Sequence, residues 1–174
     1  MNPFNEVSEV SEVRKPTQEV SNRSRGFENT TKDVNEPRHI NTINEDKAGT
    51  YYGGVLYSKH VFRVNGEKVE GVFPRFDSEF NTRLPKNLWN ASDNEQFKYC
   101  TEKLKQRIEN DPEFAKRFTP RQIEQIMDGA PRISGLTWHH NEIPGKMQLV
   151  DSNTHGSCRH TGGRNIWGGG SACR

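Results

Sequence analysis

A chain of 174 residues is long enough for one ordinary domain with a tail and short for two. Its composition, 30% hydrophobic and 28% charged, is polar for a globular protein, so part of it stays outside any core. Three cysteines (Cys100, Cys158, Cys173), no apolar run of about 18 residues and no apolar signal-peptide core exclude a disulfide scaffold and a helical membrane span, and read as a soluble chain with no export signal of its own.

Residues 1–50 are rich in Glu, Ser, Asn, Thr and Arg and nearly lack apolar clusters. Such a segment cannot bury enough apolar area to offset its conformational entropy, which predicts a linker or disordered arm. The near-repeat EVSEVSEV at 6–13 alternates like a strand without a neighbouring partner, and low complexity accounts for it better. Order is expected from about Thr50, so that 51–174 form the folded domain.

Asn65-Gly66 separates two β-branched and aromatic runs and predicts a hairpin with strands at about 55–64 and 67–73. His60 lies on it, with no other ligand type at useful spacing, and is read as a packed or surface strand residue. Residues 74–90 read as irregular connection; apolar pegs at Phe76, Phe80, Leu84 and Leu88 permit a helical turn or two, but Pro85 interrupts them. Ser92 with Glu95 three residues on is a capping box, and Phe97, Cys100, Leu104 and Ile108 give one buried stripe, predicting a helix over 93–110. Pro112 opens a short helix to about Arg117. Thr119-Pro120 then opens another, with Ile123, Ile126 and Met127 as its apolar face, stopped by Gly129 and Pro131. These three helices are expected to form a supporting layer.

Residues 137–163, TWHHNEIPGKMQLVDSNTHGSCRHTGG, hold four of the six histidines. LTWHH reads as a short strand, Pro144-Gly145 as a turn and MQLV as a second strand. Asp151 or Ser152 then caps a helix to about Arg159, ended by Gly162-Gly163. Neighbouring strand residues point to opposite faces, so His139 and His140 do not both coordinate one ion; one ligand and one general base is the economical division. His155 returns to the same pocket from the helix, and His160 joins only if the helix ends or distorts first, since five residues turn it away on an ideal helix. Arg159, four residues after His155, is a candidate phosphate contact, and Arg132, Arg164 and Lys146 are candidate backbone contacts. Over 130–174, Arg132, Lys146, Arg159, Arg164 and Arg174 face only Glu142 and Asp151, a modest excess of positive charge that suits a phosphate-bearing substrate. Trp138 and Trp167 are read as packing before base stacking. A rival reading joins His155, Cys158, His160 and Cys173 in a closed structural zinc cage, a non-enzymatic nucleic-acid-binding module that leaves the HH pair without a role.

TWHH, PGKMQLVD and HTGGRNIWGGG, with GVFPRFDSEFNTRLP, ASDNEQF and FTPRQIEQI upstream, resemble the WHH-type members of the HNH/endonuclease VII superfamily. Those members are C-terminal toxin domains of polymorphic bacterial toxins, and the resemblance covers about 66–170. It implies an α+β fold with a ββα-metal core (HNH, treble-clef-like) at about 133–165, behind a β-hairpin and a helical layer. The implied activity is a metal-dependent endonuclease with one divalent ion (Zn, Mg, Mn or Ni), DNA favoured over RNA. The implied roles are His139 and His155 as metal ligands, His140 as general base, and His160 as a further ligand or phosphate contact. Delivery into a target cell as part of a larger toxin, a cognate immunity protein and no membrane partner belong to the same expectation.

Overall fold

The computed structural model describes residues 35–173, an α+β fold whose described residues form two sheets and five helices. In the first sheet, β1 (Arg38–His39) pairs in parallel with β4 (Glu67–Pro74), and β2 (Tyr51–Tyr52) pairs antiparallel with β3 (Val55–Val64). β3 and β4 form the expected hairpin. Asn65 and Gly66 at its tip have φ of 50° and 84°, the two left-handed residues that a tight antiparallel turn requires.

Folded structure reaches back past Thr50. Ile40 N donates to Glu70 O at 2.8 Å, and Asn44 Nδ2 donates to Arg159 O at 2.5 Å. A polar segment needs no core of its own when backbone hydrogen bonds to a sheet edge hold it. The 6–13 repeat lies outside the described residues.

The helical layer follows its caps. α1 (Asp93–Asn110) carries the Ser92/Glu95 capping box and buries Phe97, Cys100, Leu104 and Ile108. α2 (Pro112–Ala115) and α3 (Pro120–Met127) begin at proline, α3 with a Thr119/Gln122 box. Gly129 follows α3 at φ 67°. Ile126 is fully buried, but Met127, the last residue of α3, turns outward and is 37% exposed, so the expected apolar face narrows. Burial of Cys100 pushes its thiol pKa up to about 12, as a core residue requires.

The second sheet has the order β5-β7-β6, from β5 (Phe80–Arg83), β6 (Leu136–His140) and β7 (Lys146–Asp151). β6 and β7 are the two expected strands, whereas β5 replaces the helical turns allowed for 74–90. Phe80 sits opposite Leu149 and Arg83 opposite Lys146, so β5 forms on a partner distant in sequence, and only a single 3-10 turn, Lys86–Leu88, follows. α4 (Ser152–Ser157) is capped by Asp151 Oδ1, which accepts from Thr154 N at 2.7 Å. It stops earlier than expected because Cys158 is extended, and Gly163 opens α5 (Gly163–Trp167) instead of ending α4.

α1, α3 and the second sheet share one core, in which Leu104, Ile126, Met147 and Leu149 are fully buried. Gly163 lies so close to the strand end that a Cβ there would collide with Asn141 O and Trp167 Nε1. Gly163→Ala is expected to cost at least about 1–3 kcal/mol, measured by urea denaturation; a wild-type midpoint would show that α5 is free to move off β6.

Candidate active site

β6 places its two histidines on opposite faces. His139, 4% exposed, points toward α4 and the loop after it, where its Nδ1 lies 3.3 Å from Nε2 of His155. Early termination of α4 brings His160 into the same group. Ring centroids are 5.2 Å apart for His139–His155, 4.9 Å for His139–His160 and 5.0 Å for His155–His160. One ring nitrogen from each lies within 4.8 Å of the others. A tetrahedral ion with bonds of about 2.0–2.1 Å to nitrogen sets ligand atoms about 3.3–3.4 Å apart, so small side-chain movements complete the set.

The surroundings suit an ion. His160 Nδ1 donates to Cys158 O at 2.6 Å, which leaves Nε2 as the nitrogen able to coordinate and fixes the ring as an outer hydrogen bond does for a metal ligand. Burial, then the neighbouring histidines, hold His139 well below its ordinary pKa; the same causes lower His155 to about 4. Burial also lowers His160, against the Cys158 hydrogen bond and the charge of Glu142. All three are therefore neutral, the form that coordinates, at pH 7. The ring of Phe76 floors the cluster, its centroid 4.9 Å from His139 and 5.3 Å from both His155 and His160.

His140 faces α1 and α5. Its Nε2 is 2.7 Å from Gln96 Oε1, with the rings of Phe97 and Trp167 at 5.8 and 5.7 Å. A cavity of about 490 Å³ is lined by His140 together with His139, His155 and His160, so it joins the two faces at the end of β6.

Other expected residues divide by position. Arg159 and Arg132 are exposed on the cavity lining, although Arg159 lies beyond α4 and is not placed there by helical periodicity. Arg164 also lines the cavity but is buried, its Nη1 donating to Gln96 Oε1 at 2.6 Å and its Nη2 3.4 Å from Asp93 Oδ1, while its Nε has no hydrogen-bond partner. Lys146 opens β7 and is not part of the cavity lining. Trp138 donates to Thr101 Oγ1 and Trp167 to Asn141 O; both are buried packing residues. The cysteines are free, and the metal-competent group among the described residues contains none of them. Cys158 Sγ instead lies 3.5 Å from the carbonyls of Tyr52 and Gly53, so the zinc-cage arrangement is not assembled.

Three contributors escaped the sequence reading. Phe76 gave no signal beyond being an apolar peg. Glu142, 2% exposed, accepts from Arg75 Nη1 at 2.7 Å and pairs with His60 Nδ1 at 2.7 Å, bridging the first sheet to the strand end. Gln96 did carry a signal: it precedes Cys100 by four residues and Leu104 by eight, on the buried stripe, and a polar side chain there needs a partner.

A model of the DNase/tRNase domain of colicin-like bacteriocins matches residues 65–162, more than half of the chain. The chain belongs to this family. No curated protein and no solved structure matches it significantly. As a colicin-type nuclease toxin domain, it carries all four clustered histidines inside the matched span, whereas β1, β2, β3 and α5 lie outside. Among its described residues, no helix is long and apolar enough to cross a membrane.

The buried imidazoles give this nuclease domain a defined acid sensitivity. Their pKa values are depressed in the folded state, so the unfolded chain binds more protons in mild acid, and their contribution to stability is full above pH 6.5 and declines as pH falls below it, that of His155 being lost toward about 4. Urea midpoints of chelator-treated protein are expected to fall across that window, and His155→Gln to fall less steeply. A flat wild-type profile would contradict the burial argument.

Proposed function

We propose that this domain is an HNH-type, metal-dependent endonuclease that acts as an antibacterial toxin, with DNA its preferred substrate. The observation that carries the reading is the three-histidine cluster on one face of β6 with His140 on the other, both bordering one cavity. His139, His155 and His160 would hold one divalent ion; an all-imidazole set suits Zn or Ni better than Mg, which takes oxygen ligands. The ion, when bound, supplies positive charge to the phosphate and its departing oxygen.

His140 takes a proton from the attacking water. The water oxygen forms a bond to phosphorus as the bridging P–O bond breaks, and the departing oxygen is protonated from solvent. Arg159 and Arg132, exposed on the cavity lining, meet the phosphate backbone; such contacts position a strand without reading its sequence. Arg164 is assigned to support, since its Nη1 and Nη2 serve Gln96 and backbone carbonyls, and Lys146 to a peripheral backbone contact. A cell that makes an active nuclease needs protection from it, which is the role of a cognate immunity protein, and delivery occurs within a larger toxin.

Plasmid cleavage with Zn, Ni, Mn or Mg, with and without chelator, tests this directly, with tRNA as the parallel substrate. His140→Ala is expected to lower kcat by about 10²–10⁴ while binding Zn normally. His139→Ala is expected to lose the ion and the activity together. Cleavage that survives chelation, or is undiminished in His140→Ala, would overturn the mechanism; faster cleavage of tRNA would reassign the substrate.

A further inference from the structure

Gln96 is fully buried on α1, and both ends of its amide have an assigned role. Its Nε2 donates to Leu88 O at 2.7 Å and to Trp89 O at 2.8 Å, groups that only accept. Its Oε1 accepts from Arg164 Nη1 at 2.6 Å, a group that only donates. Reversing the amide would set oxygen against two carbonyls and NH2 against a guanidinium, so the orientation is determined from both ends. The same Oε1 lies 2.7 Å from His140 Nε2. An amide oxygen offers no proton, so this hydrogen bond requires the proton on Nε2, and the neutral ring then carries its lone pair on Nδ1.

We propose that Gln96 is a positioning residue for phosphodiester hydrolysis: clamped by Leu88, Trp89 and Arg164, it holds His140 as the Nε2–H tautomer and makes Nδ1 the atom that accepts the proton from water. The proposal rests on the reading of His140 as the base. One O–H bond of water breaks and its proton passes to Nδ1. The oxygen electron pair forms the new P–O bond, and the old P–O bond leaves with its electrons on the departing oxygen. That oxygen takes a proton from solvent, and His140 returns its own to solvent. Arg164 gains a definite task in this scheme. It also donates through Nη2 to Ala91 O and to Cys173 O, tying α5 and the C-terminal turn to the start of α1, so that Oε1 presents its acceptor face to His140.

Long-range ¹H–¹⁵N correlation spectra of the chelator-treated full chain report which nitrogen of His140 is protonated. The wild type is expected to show Nε2–H. Gln96→Met keeps the side-chain length and removes the acceptor. It is expected to lose the single tautomer and to lower kcat about 10- to 100-fold, with Zn affinity unchanged and KM within about twofold. A purely structural role would leave the tautomer as it is. Nδ1–H in the wild type overturns the proposal without any variant, and so does a folded Gln96→Met that keeps Nε2–H or cleaves at the wild-type rate. Failure of the underlying reading is distinguishable: His140→Ala then cleaves normally although the wild-type spectrum shows Nε2–H, which removes the catalytic role from both residues.

Discussion

Alternation of side chains along a strand is the constraint on which this site depends. It separates His139 from His140, although the two are adjacent in sequence, and each face of β6 then needs its own wall. On the His139 side the wall is Phe76, α4 and the loop to His160, rich in imidazole and floored by an aromatic ring. On the His140 side it is α1 and α5, where an amide and a guanidinium meet the ring. The two environments suit different tasks, coordination by neutral nitrogens on one face and oriented proton transfer on the other. A strand of five residues can host both because its two faces are packed by different parts of the chain.

Electrostatics explains why the cluster is stable without charge. Two protonated imidazoles about 5 Å apart would repel by about 3 kcal/mol at an effective dielectric of about 20, before any cost of desolvation. Burial and mutual repulsion therefore act in the same direction, and the rings stay neutral. Nearby, Glu142 has the opposite problem, a buried carboxylate, and its solution is pairing: Arg75 and His60 both reach Oε1 at 2.7 Å. Hydrogen bonding does for Gln96 what pairing does for Glu142. Two buried polar side chains thus tie the end of β6 to other elements, Glu142 to the first sheet and Gln96 to α1 and α5.

Local codes made much of this legible in the sequence. Asn65-Gly66 specified its turn, Ser92/Glu95 and Thr119-Pro120 specified helix starts, and alternation alone separated the roles open to His139 and His140. What local codes could not supply was non-local pairing. β5 is a short polar strand that forms only on β7, more than sixty residues later. Helical periodicity from His155 does not reach Arg159, because α4 ends at Ser157 and the backbone at Cys158 is extended. That same break admits His160, whose membership was conditional on it. Phe76, Glu142 and Arg164 take their roles from partners on other elements, which spacing within one element does not encode.

The segments flanking the family-matched span are part of the site's mechanics. The backbone from Cys158 to Gly162 has no regular structure, so His160 can serve as a ligand only if other groups hold that loop. Arg159 O accepts from Tyr57 Oη at 2.9 Å and from Asn44 Nδ2 at 2.5 Å, while Ile43 N donates to Thr161 Oγ1 at 3.0 Å. All three donors precede the matched residues, just as Arg164 and Trp167 follow them. Ordering a loop costs about 1–2 kcal/mol per residue in backbone entropy, and a typical hydrogen bond returns about 0.5–1.5 kcal/mol. Three tethers around one histidine therefore offset part of that cost. The histidines define what the centre can do, and the flanking strands and helix determine whether they are held close enough to do it.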